Sequence, residues 1–286
     1  MHAPLKAGDH LDERQFQIAV RRLADSLSYG VDKSPFFGSG IEFAQSRLYQ
    51  PGDPVKSIDW RVTGRTGRVH VKEYETPKRF PVYLLVDSSA SMCVTSHAHS
   101  KYFWATQLAG GLALAALARM SPVGIVGCGE RVFGVRSTLS RPQVFLWLSL
   151  LRQHRFDEET RLGRRLDEFA GTLESRSVII VISDLHDPAA LPALKLVAQQ
   201  HDCVLLQLLD PAETGAIGGG IFRASEAETG RTFVTHGGRP WLDHDRTTRE
   251  LRRAGVDHLL LRTDESFIPR LRTFLRRRDH LAQEGR

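Results

Sequence analysis

The feature that most constrains the fold of this chain is a regular alternation of short apolar segments with helical patterns. Three short runs, at residues 82–86, 178–182 and 204–209, are apolar except for Gln207 and are typical of strands that are buried on both faces of a sheet. Helical patterns lie between them, and helices that connect strands in this way indicate parallel strands with right-handed crossovers. We therefore predict an α/β fold with a doubly wound, mainly parallel sheet and helices on both of its faces.

A small β region is predicted before this sheet, and hairpins are predicted within it. Residues 11–28 have the apolar spacing of an amphipathic helix, and short β-like stretches with turn residues follow over 43–75. A hairpin inserted at 218–236 interrupts the alternation, and a shorter hairpin is predicted over 122–136. These patterns divide the chain into an N-terminal helix with the small β region, a sheet domain and a C-terminal helix, at residues 1–80, 81–265 and 266–286.

The composition excludes several classes of protein. The chain has 286 residues, of which 41% are hydrophobic and 25% are charged, which is typical of a globular protein and not of a disordered or collagen-like one. Its three cysteines have no pairing motif, so we expect reduced thiols. The sequence contains neither a signal-peptide pattern nor an apolar run of about 18 residues, and we expect a cytoplasmic protein without a membrane span.

Acidic and hydroxyl side chains follow two of the predicted strands. Asp87, Ser89 and Ser91 come directly after the first strand, and Asp184 comes after the strand at 178–182. The carboxyl ends of parallel strands meet at one edge of a sheet, where functional crevices lie. The D-x-S-x-S spacing lets alternate residues face one point, and such oxygen donors are the ligands that Mg²⁺ prefers.

This motif resembles the metal-ion-dependent adhesion site of von Willebrand factor A-like domains. The resemblance implies that a threonine and a second aspartate from later loops complete the site. Asp184 matches the aspartate, and Thr160 is the candidate for the threonine. Because Thr160 follows acidic residues where the family usually has glycines, Thr138 stays open as an alternative. The implied ion is Mg²⁺, with Mn²⁺ or Ca²⁺ as alternatives.

Segments near the N-terminus resemble one particular family of proteins that contain such a domain. Residues 38–43, 47–53, 58–61 and 71–75 include Y-x-P-G-D and I-D-W motifs and resemble the signature of domain-of-unknown-function family fifty-eight. Members of that family are often encoded beside MoxR-type AAA+ ATPases and are thought to act with them as adaptors. The resemblance therefore implies a role in assembling or activating a client complex. Metalloenzymes such as methanol dehydrogenase are among the clients that it implies.

We expect a non-catalytic adaptor that binds a client carboxylate through its metal ion, and two other functions stay as alternatives. An aspartate-lined metal could support hydrolysis or phosphoryl transfer, although the chain has no P-loop, nucleophile elbow or dinucleotide-binding motif. The arginines near the C-terminus could bind nucleic acid, although no basic motif with interleaved aromatic residues is present.

Structural roles are the alternatives for several of these residues. The D-x-S-x-S side chains and Thr160 could simply cap helices. Asp53, Asp59 and Trp60 are expected to stabilise turns of the small β region. Residues 93, 97 and 99 combine a cysteine with two histidines, but their spacing is not that of a zinc site, and a loop is expected there.

Overall fold

Helices and strands alternate along most of the described chain. The computed structural model describes residues 12–28, 42–75, 80–129, 136–153, 161–214, 221–225, 232–236 and 243–284. The N-terminal part contains α1 (Glu13–Ser28), β1 (Glu42–Leu48), α2 (Trp60–Thr66) and β2 (His70–Glu75). The elements that follow are β3 (Val82–Val86), α3 (Lys101–Ala118), β4 (Val123–Gly127), α4 (Arg141–Arg152), α5 (Leu162–Ala170), β5 (Val178–Ser183), α6 (Ala190–Val197), β6 (Asp202–Leu209), β7 (Ile221–Ser225), β8 (Thr232–His236), α7 (His244–Arg253), β9 (Asp257–Arg262) and α8 (Ile268–Glu284).

Five parallel strands form the central sheet, in the order β4-β3-β5-β6-β9. In register, Val82 at the start of β3 lies between Val123 of β4 and Val178 of β5. All five strands therefore end at the same edge, which is the arrangement predicted from the three apolar runs. The mixed α/β fold with a mainly parallel sheet flanked by helices is confirmed.

The sheet is buried on both faces because alternate side chains of each strand enter two separate apolar clusters. Val82, Leu84 and Val86 of β3 pack with α1, α3, α4 and α8, whereas Tyr83 and Leu85 pack with α5, α6 and α7. This explains why the inner strands are mostly apolar and show no regular polar alternation. The helix α3 is buried over almost its whole length, including its first residue.

The first helix packs closely on α3 at two adjacent glycines. A Cβ atom built at Gly110 would lie 2.7 Å from Val20 Cγ2, and one built at Gly111 would lie 2.6 Å from Leu23 Cδ2. The missing side chains therefore allow α1 to approach the middle of α3. Two glycines inside a helix lower its stability, and this close packing explains why they are present. Through this contact the N-terminal helix becomes part of the core.

The small N-terminal sheet is antiparallel, as predicted, but it includes a helix that the sequence pattern does not indicate. Strands β1 and β2 pair from Glu42 opposite Glu75 to Leu48 opposite His70. Helix α2 lies between them, where short strands and turns are expected. It forms because the carboxylate of Asp59 accepts hydrogen bonds from the first free backbone N–H groups, those of Arg61 and Val62.

The strands β7 and β8 pair with each other in antiparallel fashion within the segment predicted to be a hairpin. The second strand of the other predicted hairpin, at residues 131–136, lies almost entirely outside the described residues. In the part of the chain that the structure covers, no helix has both the length and the apolar character needed to cross a membrane.

Candidate metal centre

The strand order reverses on the two sides of β3, and the carboxyl edge at such a point is where open α/β sheets generally form a crevice. From β3 the chain passes first to β4 on one side and then to β5 on the other, so the loops after β3 and β5 diverge there. Asp87 follows β3 directly, and its backbone N–H donates to the carbonyl of Ile182 in β5 at 2.9 Å. Two of the predicted ligands, Asp87 and Asp184, therefore follow adjacent strands.

The loop after β3 gathers the predicted oxygen donors. Asp87 Oδ1 accepts from the backbone N–H of Ser89 at 3.0 Å, which turns the chain sharply. The hydroxyls of Ser89 and Ser91 lie 3.0 Å apart, and Ser91 also forms a hydrogen bond with Asp184. Ser89 begins a short 3-10 turn, but its side chain forms no capping bond there. Capping therefore does not explain this hydroxyl.

Asp87 is a fully buried carboxyl group that lacks a cationic partner. Ser183 Oγ donates to Asp87 Oδ2 at 2.6 Å, and none of the described Lys, Arg or His side chains forms an ion pair with it. Burial, followed by the negative charge of Asp184, raises the pKa of Asp87 to about 7, although the bonds from Ser183 and Ser89 oppose this change. Without a cation in contact with it, the charged form of this group is unfavourable.

Asp184, in contrast, has a cation in contact. The ammonium of Lys101, the first residue of α3, donates to Asp184 Oδ2 at 2.8 Å, and both side chains are almost fully buried. Burial alone raises the pKa of Asp184, but Lys101 and then His186 outweigh it and hold the pKa below its usual value. Lys101 also pairs with Glu213, in the 3-10 turn after β6.

The loop after β5 is held in an uncommon backbone conformation. Leu185 has a φ of 62°, in the left-handed region that a leucine rarely adopts. The hydroxyl of Ser183 accepts from its backbone N–H at 2.9 Å, while the backbone N–H of His186 donates to Asp184 Oδ1 at 3.3 Å. These bonds hold Asp184 against the loop after β3, and local strain of this kind is often found at functional sites.

The donor set fits a hard divalent cation. Two carboxylates and two hydroxyls converge at the crevice, and Mg²⁺ binds oxygen ligands with one or two protein carboxylates. The unneutralised burial of Asp87 is the specific observation in favour of a cation, since a positive ion would stabilise its charged form. Asp87, Ser89, Ser91 and Asp184 are the residues that would hold it.

The structure separates the two candidate threonines. Thr160 lies outside the described residues. Thr138 pairs with Val123 at the first residue of β4, with its backbone N–H and carbonyl bonded to those of Val123. That position is at the amino edge of the sheet, about 13 Å of strand away from the crevice. The structure therefore does not bring Thr138 together with Asp87 and Asp184.

Sequence reasoning missed Lys101 and Glu213. Lys101 was missed because no residue near it in the sequence suggests a site. The signal that could have found it is its position at the start of a helix that is otherwise almost entirely apolar, since a lone charge in a buried helix needs a partner. Glu213 follows β6, and its segment had no recognisable pattern. The ligand atoms of Asp184, His186 and Glu213 all lie within 4.8 Å of one another.

The structural alternatives are confirmed for the N-terminal aspartates. Asp53 pairs with the guanidinium of Arg47 at 2.7 and 2.8 Å and accepts from the backbone N–H of Gln50. Asp59 caps α2 and also accepts from Ser46 Oγ at 2.7 Å. The residues Cys93, His97 and His99 do not form a cluster of metal ligands among the described residues.

Comparison with protein families gives one match that covers most of the chain. The sequence profile described as "Protein of unknown function DUF58" matches residues 45–251. Uncharacterised proteins from Mycobacterium bovis and from two strains of Mycobacterium tuberculosis are each 26% identical over 288 residues. These alignments cover 94% of this chain and 90% of each relative.

Solved structures give only distant likenesses. The PilB minor pilin from Streptococcus sanguinis aligns over 76% of this chain and 64% of its own, with 8% identity and a TM-score of 0.42. The RO (RSR) protein of Deinococcus radiodurans aligns over 68% and 41%, with 14% identity and a TM-score of 0.29. The chain thus spans less than two thirds of either protein, and at these scores neither likeness carries an argument.

Proposed function

The chain belongs to the DUF58 family, and we propose that it is a non-catalytic protein-binding module whose contact with a partner depends on a divalent cation. Asp87, Ser89, Ser91 and Asp184 would hold this ion, with Thr160 as a further ligand. In this proposal the sheet is a von Willebrand factor A-like domain and the crevice is its metal-ion-dependent adhesion site. The ion is Mg²⁺, or Mn²⁺ or Ca²⁺ in its place.

The observation that carries the proposal is the position of Asp87. A buried carboxylate without a cation is unfavourable, and proteins that retain one generally pair it or use it to bind metal. Its neighbours Ser89 and Ser91 supply the neutral oxygens that such an ion needs. A cation there would be the largest local charge and would attract an acidic ligand, which two aspartates alone would repel.

The chemistry of the site and the family resemblance together suggest the partners. An ion with a free coordination position binds a carboxylate, so the client supplies an Asp or Glu side chain. By its family resemblance the chain acts in the cytoplasm with a MoxR-type AAA+ ATPase. The pair would assemble or activate a client complex, for which a metalloenzyme such as methanol dehydrogenase is one example.

The metal site can be tested by titrating MgCl₂ into the purified protein in a calorimeter. We expect saturable binding by the wild type and none by Asp87→Ala. Asp53→Ala is the matched control, because it removes a carboxylate that bonds only within the N-terminal region. Binding by Asp87→Ala that equals wild type, or no binding by the wild type, would contradict the proposal.

The partner can be tested by interferometry with an immobilised MoxR-type AAA+ ATPase from the same organism. The ATPase has its own requirement for Mg²⁺, so a chelator would not separate the two sites, whereas a variant does. We expect Asp53→Ala to bind like the wild type and Asp87→Ala to lose binding. Equal binding by all three proteins would show that the contact does not use this site.

The same variants test the alternative of a metal-dependent hydrolase. Purified protein is incubated with generic phosphoester substrates and MgCl₂. The proposal predicts no turnover above background by the wild type. Turnover that Asp87→Ala abolishes and Asp53→Ala retains would replace the binding module with an enzyme.

A further inference from the structure

Lys101 places a fixed positive charge inside the proposed cation site. Its ammonium is fully buried and pairs with two carboxylates from different loops, Asp184 after β5 and Glu213 after β6. The rest of α3 is an apolar helix inside the core, so the ammonium has no route to solvent along its own element. A lysine buried in this way persists only where its charge is compensated.

Asp184 is therefore required by two cations at once. Its Oδ2 atom accepts from Lys101 at 2.8 Å, and the same carboxylate is a ligand of the proposed ion. Two positive charges that share one carboxylate repel each other, because the buried site screens them poorly. A divalent ion can gain Asp184 fully only if the ammonium is compensated elsewhere.

Glu213 is positioned to provide that compensation. It lies on the side of Lys101 that is nearer to solvent, since its side chain is 15% exposed while that of Asp184 is 1% exposed. The backbone N–H of Asp210 donates to its second oxygen at 3.2 Å and holds it in place. The ring of His186 lies between the carboxylates, 3.7 Å from Asp184 Oδ2 and 3.8 Å from Glu213 Oε1.

We propose that Lys101 is the resident counter-cation of this site, that a divalent ion competes with it for Asp184, and that Glu213, which already pairs with the ammonium, holds it alone when the ion binds. This inference rests on the proposed function, because it concerns the same cation. In the metal-free protein the ammonium limits the repulsion among the carboxylates. In the loaded protein Lys101 lowers the affinity for the ion and Glu213 partly restores it, so their balance sets the concentration at which the site fills.

The experiment compares MgCl₂ affinities of variants by calorimetry. Lys101→Gln removes the competing charge, and we expect it to bind Mg²⁺ about tenfold more tightly, the scale on which a neighbouring charge shifts ionic equilibria. Glu213→Gln leaves the ammonium on Asp184 and should weaken binding about threefold to tenfold. Lys195→Gln and Glu250→Gln are the matched controls, because they make the same changes in a solvent-accessible ion pair of 2.8 Å. Both controls should bind Mg²⁺ like the wild type.

The double variant Lys101→Gln/Glu213→Gln tests the role of Glu213. If Glu213 acts mainly by accepting the ammonium, its replacement loses most of its effect when Lys101 is already absent. An effect of Glu213→Gln that is the same in both backgrounds would show that Glu213 acts only as a negative charge near the ion. That result would overturn the proposed exchange.

Thermal melts with and without MgCl₂ keep the inference testable where Lys101→Gln is unstable. A variant that is unfolded in chelator but folded in MgCl₂ supports the proposal, because the ion then replaces the missing ammonium. If Lys101→Gln is unfolded under both conditions, Glu213→Gln decides, and unchanged or tighter binding by that variant contradicts the inference. Wild-type binding with no change in Lys101→Gln contradicts this inference alone. No Mg²⁺ binding by either protein contradicts the proposed function itself.

Discussion

Two pairs of aspartates in this chain have opposite environments. Asp53 and Asp59, in the N-terminal region, accept bonds from backbone N–H groups, and Arg47 holds the pKa of Asp53 at about 2. Asp87 and Asp184, at the carboxyl edge of the sheet, are buried side by side, and burial raises the pKa of Asp87 to about 7. The first pair therefore stabilises the fold. In the second pair Lys101 compensates Asp184, whereas Asp87 carries an electrostatic penalty that a cation in contact with it would relieve. The sequence motifs predict turn-stabilising roles for the first pair and metal binding for the second, and the surroundings of the four carboxylates give the physical difference between the pairs.

The largest expected effect is the response of stability to metal. An ion that binds only the native state stabilises it by about 2.7 kcal/mol at a concentration one hundred times its dissociation constant. We expect the melting temperature of the wild type to rise with MgCl₂ and that of Asp87→Ala to stay constant. Circular dichroism should show that Asp87→Ala is folded without metal. An unfolded variant would indicate that Asp87 is a structural residue like Asp59.

The opposite effect is expected for Asp59→Ala. This change removes the cap of α2 and the bond to Ser46, so the melting temperature should fall by about 2–4 °C. Its affinity for Mg²⁺, measured by calorimetry, should equal that of the wild type. A loss of Mg²⁺ binding by this folded variant would remove the distinction between the two pairs.

The pH dependence of stability tests Asp87 in the metal-free protein. Its pKa is about 7 in the native state and 3.8 in the unfolded chain, so the native state retains the proton between these values. The free energy of unfolding must then fall as the pH rises from about 4 to about 7. One pKa unit corresponds to about 1.4 kcal/mol, so over the two pH units from 5 to 7 we expect the wild type to lose about 3 kcal/mol more than Asp87→Asn.

Urea unfolding at pH 5 and pH 8, in the presence of chelator, measures this difference. Asp87→Asn has no titratable group at this position. The difference between the wild type and this variant at each pH therefore reports the contribution of Asp87. Parallel behaviour of the two proteins would show that Asp87 is compensated by another group in solution.

The smallest effect is expected for Asp53. Its low pKa means that it stabilises the native state above the unfolded value of 3.8, and this contribution disappears as the pH falls towards 2. Because its partner Arg47 is partly exposed and solvent screens the ion pair, Asp53→Asn should change the melting temperature less than Asp59→Ala at pH 7. Between pH 4 and pH 2 the two proteins should converge. A difference that persists at pH 2 would indicate a role beyond this ion pair.

The sheet could be predicted from the sequence because its strands are buried on both faces. That burial forces the inner residues of β3, β5 and β6 to be almost entirely apolar, and the strand ends then locate Asp87 and Asp184. Helix α2 was missed because it has seven residues and depends on one capping carboxylate rather than on apolar periodicity.

The charges around the site could not be predicted from local sequence. Lys101 and Glu213 are separated from Asp184 by long stretches of chain, and only the sheet topology brings the three together. Thr138 was a reasonable alternative in sequence order, but the direction of β4 places it at the amino edge. The burial of Asp87 likewise depends on what packs over the crevice rather than on its neighbours in the chain.

The most direct test of the account is a crystal structure of the protein grown with MnCl₂ and measured at the manganese absorption edge. Anomalous scattering identifies the ion without reference to any partner. The account predicts one strong peak in contact with Asp87, Ser89 and Ser91, with the Asp184 carboxylate facing it. An ordered, fully buried Asp87 with no manganese beside it, in crystals that hold manganese elsewhere, would contradict the account.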